Sequence, residues 1–284
     1  MKDFRYRMEA AALWAALVIF KCLGAERASA LGGFIGRTIG PRMASTRKAR
    51  ANLEKSFPEK TSAEIDHVLA GMWDNLGRVI AEYPHLKEII ETRIDIAGDE
   101  NLDRIGRTSS YLIMSGHNAN WELGSFFFNY RALSPMAGIF RAPNNRYVAD
   151  LLDQCRNPED KGNYIPKSSQ GARDMMRVMM NKGRLGILID QKYNQGIPVE
   201  FFGRPAMTSV ALAQLALKFD RPIVPLQVER LEGCRFRITV HQEIYPNGRD
   251  EADIMLECNR LLESWVRQHP GQWLWLHRRW GKDK

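Results

Sequence analysis

The sequence predicts an α/β fold in which a central mixed sheet is flanked by helices, behind an N-terminal helical region. From about Ile94 onward, short apolar runs of strand length alternate with stretches of helical periodicity, the pattern that builds a layered α/β sheet. Three residues that can carry chemistry, His117, Arg141 and Asp190, each follow one of those candidate strands. Open α/β sheets put their ligands outside the carboxyl ends of the strands, so delivery of all three to one edge marks that edge as the site.

The first element is an uninterrupted apolar run of eleven residues, Ala10 to Phe20, behind the basic start Met1-Lys-Asp-Phe-Arg-Tyr-Arg7. It falls short of the roughly 20 residues that a spanning helix needs. Ala28-Ser29-Ala30 has the form of a signal-peptidase site, but Lys21 breaks the apolar stretch and favours an uncleaved helix. A buried core helix is one reading of the run. The other, which we favour, is a helix lying in a membrane face with Trp14 and the flanking cations at the interface. The glycine-rich segment Leu31–Pro41 follows as a close-packed or membrane-apposed element. Residues 1–45 are thus expected to form an N-terminal membrane-associated helical segment, and 46–284 the main domain.

Thr61-Ser-Ala-Glu64 has the form of a capping box, and Ile65, Val68, Leu69, Met72, Leu76, Val79 and Ile80 then recur at helical spacing until Tyr83-Pro84. Beyond it the candidate strands are Ile94–Ala97, Tyr111–Met114, Ala137–Phe140, Leu185–Ile189, Ile223–Val228 and Phe236–Val240. Candidate helices fall at about 119–130, 144–155, 169–182, 208–219 and 250–268. Met175, Met176, Met179 and Met180 are at helical spacing and read as a core helix before an acyl groove.

The chain's 284 residues, 44% of them hydrophobic, support a globular core. Its four cysteines show no C-x-x-C spacing, so neither a zinc site nor a disulfide framework is expected, and thiols of this kind suit a reducing compartment. The net charge of +8 fits nucleic acid, anionic lipid or an acidic protein as partner. No nucleic-acid-binding motif is present, which leaves lipid and acidic protein open.

Ser115-Gly-His117-Asn-Ala-Asn-Trp-Glu122 is the most informative stretch. A neutral imidazole can take a proton from a hydroxyl near pH 7, and a carboxylate partner can fix its tautomer. Within one helix, residues five apart point about 140° away from each other. A His117–Glu122 pair therefore requires His117 in the turn and Glu122 at the opening of the next helix.

These residues carry a family resemblance. The chain resembles the bacterial lipid A lauroyl/myristoyl (late) acyltransferases from about Arg47 to its C-terminus. The matching blocks are Ala51-Asn-Leu53 through Phe57-Pro58, the HX4E motif His117–Glu122 and Phe140-Arg-Ala-Pro-Asn144-Asn145. Gly186-Ile-Leu-Ile-Asp190-Gln191, Phe201-Phe-Gly203 and Gln272-Trp-Leu-Trp-Leu-His277-Arg-Arg-Trp280 complete them. Asn118 stands where relatives often carry an aromatic residue, and Glu200 where a small residue or proline is common. The phosphate motif of the glycerolipid acyltransferases is absent, which points to the lipid A branch of a glycerolipid-acyltransferase-like fold.

The resemblance implies that 46–284 is an acyltransferase domain. The reaction it implies moves a fatty acyl chain from acyl carrier protein, as acyl-ACP co-substrate with no cofactor and no metal, to a hydroxyl of a Kdo-bearing lipid A precursor. It implies His117 as general base oriented by Glu122, Arg156 as oxyanion donor, and Asp190 as the group that positions an active-site arginine or polar substrate group. Arg141 is the alternative oxyanion donor or a phosphate clamp, and Asn120, Asn144 and Asn145 are expected to bind substrate. Partners follow as acyl carrier protein, the lipid A precursor and anionic lipid of the inner membrane, with no nucleic acid, at the cytoplasmic face of the bacterial inner membrane. Other glycolipid acceptors of the phosphoinositide-mannoside type, a thioesterase and a non-catalytic lipid-binding protein remain open. For Trp273, Trp275, His277, Arg278, Arg279 and Trp280, a core element and an interface anchor are equally weighted.

Overall fold

The computed structural model describes residues 2–106, 110–131, 136–140, 143–156, 163–166, 168–277 and 279–280. Two helices open the chain, α1 (Lys2–Leu23) and α2 (Ala25–Ile39), followed by α3 (Thr46–Ser56) and α4 (Ser62–Glu82). The capping box of α4 forms as expected: the Glu64 amide donates to Thr61 Oγ1, and the Thr61 amide donates to the Glu64 carboxylate. A 3-10 turn at Tyr83–His85 leads into α5 (Leu86–Thr92).

The α/β region then runs β1 (Ile94–Ala97), α6 (Asp99–Gly106), β2 (Leu112–Ser115), α7 (Glu122–Phe126), a π-helical turn Phe127–Arg131 and β3 (Ala137–Phe140). It continues through α8 (Arg146–Arg156), β4 (Asn163–Pro166), α9 (Ser169–Met180) and β5 (Leu185–Leu188). The hairpin β6 (Ile197–Phe201) and β7 (Arg204–Thr208) precedes α10 (Ala211–Phe219), β8 (Ile223–Arg230), β9 (Phe236–Val240) and α11 (Glu251–Gln268).

Seven strands form one sheet in the order β1-β9-β8-β2-β5-β3-β4. The β8–β9 pair is antiparallel and the other pairings are parallel, so the sheet is mixed, as expected. Successive residues of β2 face opposite sides. Leu112 and Met114 join a core with α10, α11 and the C-terminal tryptophans, while Tyr111 and Ile113 join one with α5 and Phe126–Phe128. Covering both faces with apolar side chains is what a largely parallel sheet requires.

The N-terminal helices are attached by backbone proximity. Where α2 crosses α4, a Cβ on Gly36 would collide with the Trp73 carbonyl, and one on Gly77 with the Gly32 carbonyl. Glycine at these crossings lets two helix backbones touch. The opposite face of α2 presents Leu31, Phe34, Ile35 and Ile39 to the exterior, and α1 exposes Phe4, Met8, Trp14, Val18 and Ile19. Leu31–Pro41 thus has one close-packed face and one exposed apolar face. Among the described residues no helix is long and apolar enough to cross a membrane.

Candidate active site

The site is built where two neighbouring parallel strands end. In the β2–β5 register Ser115 pairs with Leu188, so His117 and Asp190 each lie two residues beyond a matched pair. Ile189 donates its amide to the Ser115 carbonyl, extending the register one step further. His117 Nδ1 lies 2.7 Å from Asp190 Oδ1, and the His117 amide donates to Oδ2 at 2.7 Å. Trp273 Nε1 donates a third hydrogen bond, to Oδ2 at 2.8 Å. Gly116 makes room for this approach, since a Cβ there would come within 2.5 Å of Leu262 on α11.

The carboxylate that meets the His117 ring is therefore Asp190 and not Glu122, which corrects the expectation that Glu122 orients the base. Glu122 does open α7, as the pairing required, but its oxygens are engaged elsewhere. Arg156 donates to both of them, Nε to Oε2 at 2.9 Å and Nη2 to Oε1 at 2.8 Å. Tyr83 Oη donates to Oε1 at 2.7 Å, and Trp121 Nε1 does so at 3.2 Å.

Charge follows this geometry. Burial pushes the Asp190 carboxyl up, but the His117 charge and the converging donors outweigh it and hold the acid well below the usual carboxylate range. Burial pulls the His117 imidazole down, and Asp190, with a smaller contribution from the Glu122 charge, reverses that, so its pKa is raised. For Glu122, burial again pushes upward, while Arg156, Tyr83 and Trp121 bring the net pKa down. Arg156 is correspondingly raised by Glu122 against the effect of burial. Two ion clusters thus face one site, each internally compensated.

His117, Trp121, Glu122, Arg156, Gln191 and His277 are among the residues lining a cavity of about 600 Å³. Its remaining wall is mostly apolar and includes Ile113, Met136, Ile139, Ile165, Leu212 and Leu226. That volume lies within the range of small-molecule sites, about 300–1,000 Å³. Of the methionine group, Met179 is in the core as expected, whereas Met175 stands in the cavity wall. Among the described residues no group of three or more His, Cys, Asp or Glu side chains could hold a metal ion.

Two of the asparagines expected to bind substrate, Asn120 and Asn145, have other partners. Asn120 is fully buried and donates to Glu82 Oε2 at 2.8 Å, inside a network with Arg230, which in turn donates to Asn75 at 3.0 Å. Asn75 donates to the Ala119 carbonyl, so this network holds the loop after His117, where Ala119 has a φ of 46°. Asn145 caps the start of α8 through its Oδ1 and donates to the Tyr6 carbonyl and Glu9, tying α8 to α1. Asn144 is exposed. Arg141 and Arg278 lie outside the described residues.

The C-terminal segment resolves its two readings toward the core. Trp273 and Trp275 are buried, and residues 272–274 run beside the His117 loop, with Ala119 donating to the Gln272 carbonyl and Leu274 to that of His117. Arg279 is buried and donates to the Met207 carbonyl, Thr208 and Asn259; burial moves its pKa down to about 10. Sequence reasoning missed Tyr83, Gln191 and His277 as site residues. His277 was legible as a member of the terminal motif, but only the packing brings its ring to 5.3 Å from that of His117, centroid to centroid.

The family model described as bacterial lipid A biosynthesis acyltransferase matches residues 2–282. The lipid A biosynthesis palmitoleoyltransferase of Escherichia coli (strain K12) is 24% identical over 265 residues, covering 87% of this chain and 83% of that protein. The lipid A biosynthesis acyltransferase of Shigella flexneri matches with the same identity and coverage. A solved structure, the 1-acyl-sn-glycerophosphate acyltransferase PlsC of Thermotoga maritima, aligns over 88% of this chain and 98% of its own with 11% identity and a TM-score of 0.42.

Proposed function

This chain belongs to the bacterial lipid A biosynthesis acyltransferase family, and on that premise we propose that it moves a fatty acyl chain from an acyl carrier protein thioester to a hydroxyl of a Kdo-bearing lipid A precursor. The observation that carries this reading is the His117–Asp190 pair beside a largely apolar cavity. A free hydroxyl is a weak nucleophile near neutral pH, and a positioned base is worth about 10²–10⁴-fold.

With Nδ1–H donated to Asp190, Nε2 of His117 carries the lone pair that takes the proton of the acceptor hydroxyl. The oxygen attacks the thioester carbon, the tetrahedral intermediate collapses, and the departing carrier thiolate takes the proton from His117. Asp190 stabilises the imidazolium in between, the base-and-orienter logic of a catalytic triad. Arg156 lines the same cavity and supplies positive charge for the oxyanion, a donor typically worth about 10²–10³-fold. Glu122 and Tyr83 fix the plane of that guanidinium, which makes Glu122 a positioning residue for the arginine. The apolar wall takes the acyl chain.

The exposed apolar faces of α1 and α2, bordered by the exposed Arg5, Arg7, Arg27, Arg37 and Arg42, suit a helix pair lying on the cytoplasmic face of an anionic inner membrane. The test of the whole reading is mass spectrometry of a tetraacylated, Kdo-bearing precursor incubated with loaded acyl carrier protein. One added chain with the natural protein and none with His117→Ala is expected. An unchanged precursor with the natural protein would refute the acceptor assignment.

A further inference from the structure

The nitrogen that must act as base is already occupied. Gln191 Nε2 lies 3.3 Å from Nε2 of His117 and 3.4 Å from Nε2 of His277. In the neutral ring Asp190 takes the Nδ1–H of His117, so Nε2 is an acceptor, and the amide nitrogen of Gln191 is the group of that side chain that can satisfy it. A primary amide nitrogen carries two N–H groups, one for each imidazole. The dipeptide Asp190-Gln191 therefore brackets the ring, the acid on one nitrogen and the amide on the other.

We infer that Gln191, held by His277, is a displaceable cap on the His117 base. It fills the lone pair until the acceptor hydroxyl replaces it, and so keeps water from being activated while only the thioester donor is bound. This rests on the acyl-transfer reading above. The separations of 3.3 and 3.4 Å exceed the ordinary 2.7–3.2 Å of an N–H donor, which suits a contact that an incoming hydroxyl must outcompete. Without the cap, water gives its proton to Nε2 and its oxygen attacks the thioester carbon. The products are free fatty acid and carrier thiol, the thiolate recovering the proton from His117. Asp190 beyond β5 and Glu122 on α7 act on the ring by charge, Gln191 and His277 are beside it, and Arg156 on α8, Tyr83, Tyr164 and Tyr193 line the same cavity.

Two variants test the cap in the full-length protein. Gln191→Met removes both N–H groups at similar length, and His277→Phe removes the acceptor that holds the amide. Release of carrier thiol from loaded acyl carrier protein without acceptor, measured above the acid limb, is expected to rise about 3- to 10-fold in Gln191→Met. A smaller rise is expected in His277→Phe. In Gln191→Met the KM for the acceptor falls, because the hydroxyl no longer competes with the amide. Independently of activity, ¹⁵N NMR titration of His117 should move up by about half to one pH unit, since a donor that favoured the neutral ring is gone. If the natural protein transfers no chain, the function reading fails while the titration still decides the cap. An unmoved titration in Gln191→Met overturns the cap, and so does an equal fall in hydrolysis and transfer.

Discussion

Asp190 and Glu122 are two buried carboxylates at one site, each receiving at least three hydrogen bonds, yet they serve different partners. Asp190 accepts from the His117 ring, the His117 amide and Trp273, so two further donors hold it against the imidazole. Glu122 accepts from Arg156, Tyr83 and Trp121, and the guanidinium makes two of those bonds. The first arrangement tunes a base; the second immobilises a cation. The difference is that sequence neighbourhood puts a carboxylate near a histidine, whereas strand register decides which carboxylate reaches its ring.

Substitutions around each acid separate the two roles. His117→Ala should have the largest effect, a loss of about 10²–10⁴ in acyl transfer, read as acylated precursor formed per unit time. Arg156→Met should follow at about 10²–10³, with the KM for donor and acceptor less affected than kcat. Loss of transfer in Arg156→Met with kcat intact would move the oxyanion role to another donor. Glu122→Gln keeps Tyr83 and Trp121 as neighbours but removes the charge that pairs a largely buried guanidinium. Its cost is expected mainly in stability, up to about 3–5 kcal/mol in denaturant unfolding. A Glu122→Gln protein of natural stability would place Arg156 in a wetter environment than its packing shows. Smallest is a Gly186→Val change in the cavity wall, where a new Cβ meets Met136 at 2.8 Å. Narrowing the cavity there should shift selection toward shorter acyl chains, by about tenfold per methylene excluded.

Much of this was legible in the chain. The capping box and periodicity of α4, the strands from Ile94, and the His117 turn before a helix at Glu122 all follow from local rules that the packing does not override. The short strand β4 and the hairpin β6–β7 carry Pro166, Pro198 and Pro205, and that composition hides them from a strand pattern. The His117–Asp190 pair depends on β2 and β5 being parallel neighbours in register, whereas the sequence pattern alone puts both residues at strand ends without joining them. Asn120 and Asn145 belong to motifs that suggest ligand contact, but one anchors the His117 loop to Glu82 and the other ties α8 to α1. Such roles depend on partners 38 and more than 130 positions away, beyond any local pattern.

Asp190, bonded to the ring, does more than Glu122 to set the basicity of His117. The pH dependence of kcat/KM for acyl transfer, measured for the natural protein, Asp190→Asn and Glu122→Gln, tests this most directly. The Asp190 charge favours the imidazolium, so the neutral base appears only above a raised pKa. Removing that charge leaves burial to favour the neutral ring, and the acid limb should move down by about 1–3 pH units while the plateau falls. In Glu122→Gln, which removes only the weaker, unbonded charge acting on the ring, the limb should move down by less than in Asp190→Asn. A limb that moves in Glu122→Gln and stays in Asp190→Asn would contradict the account.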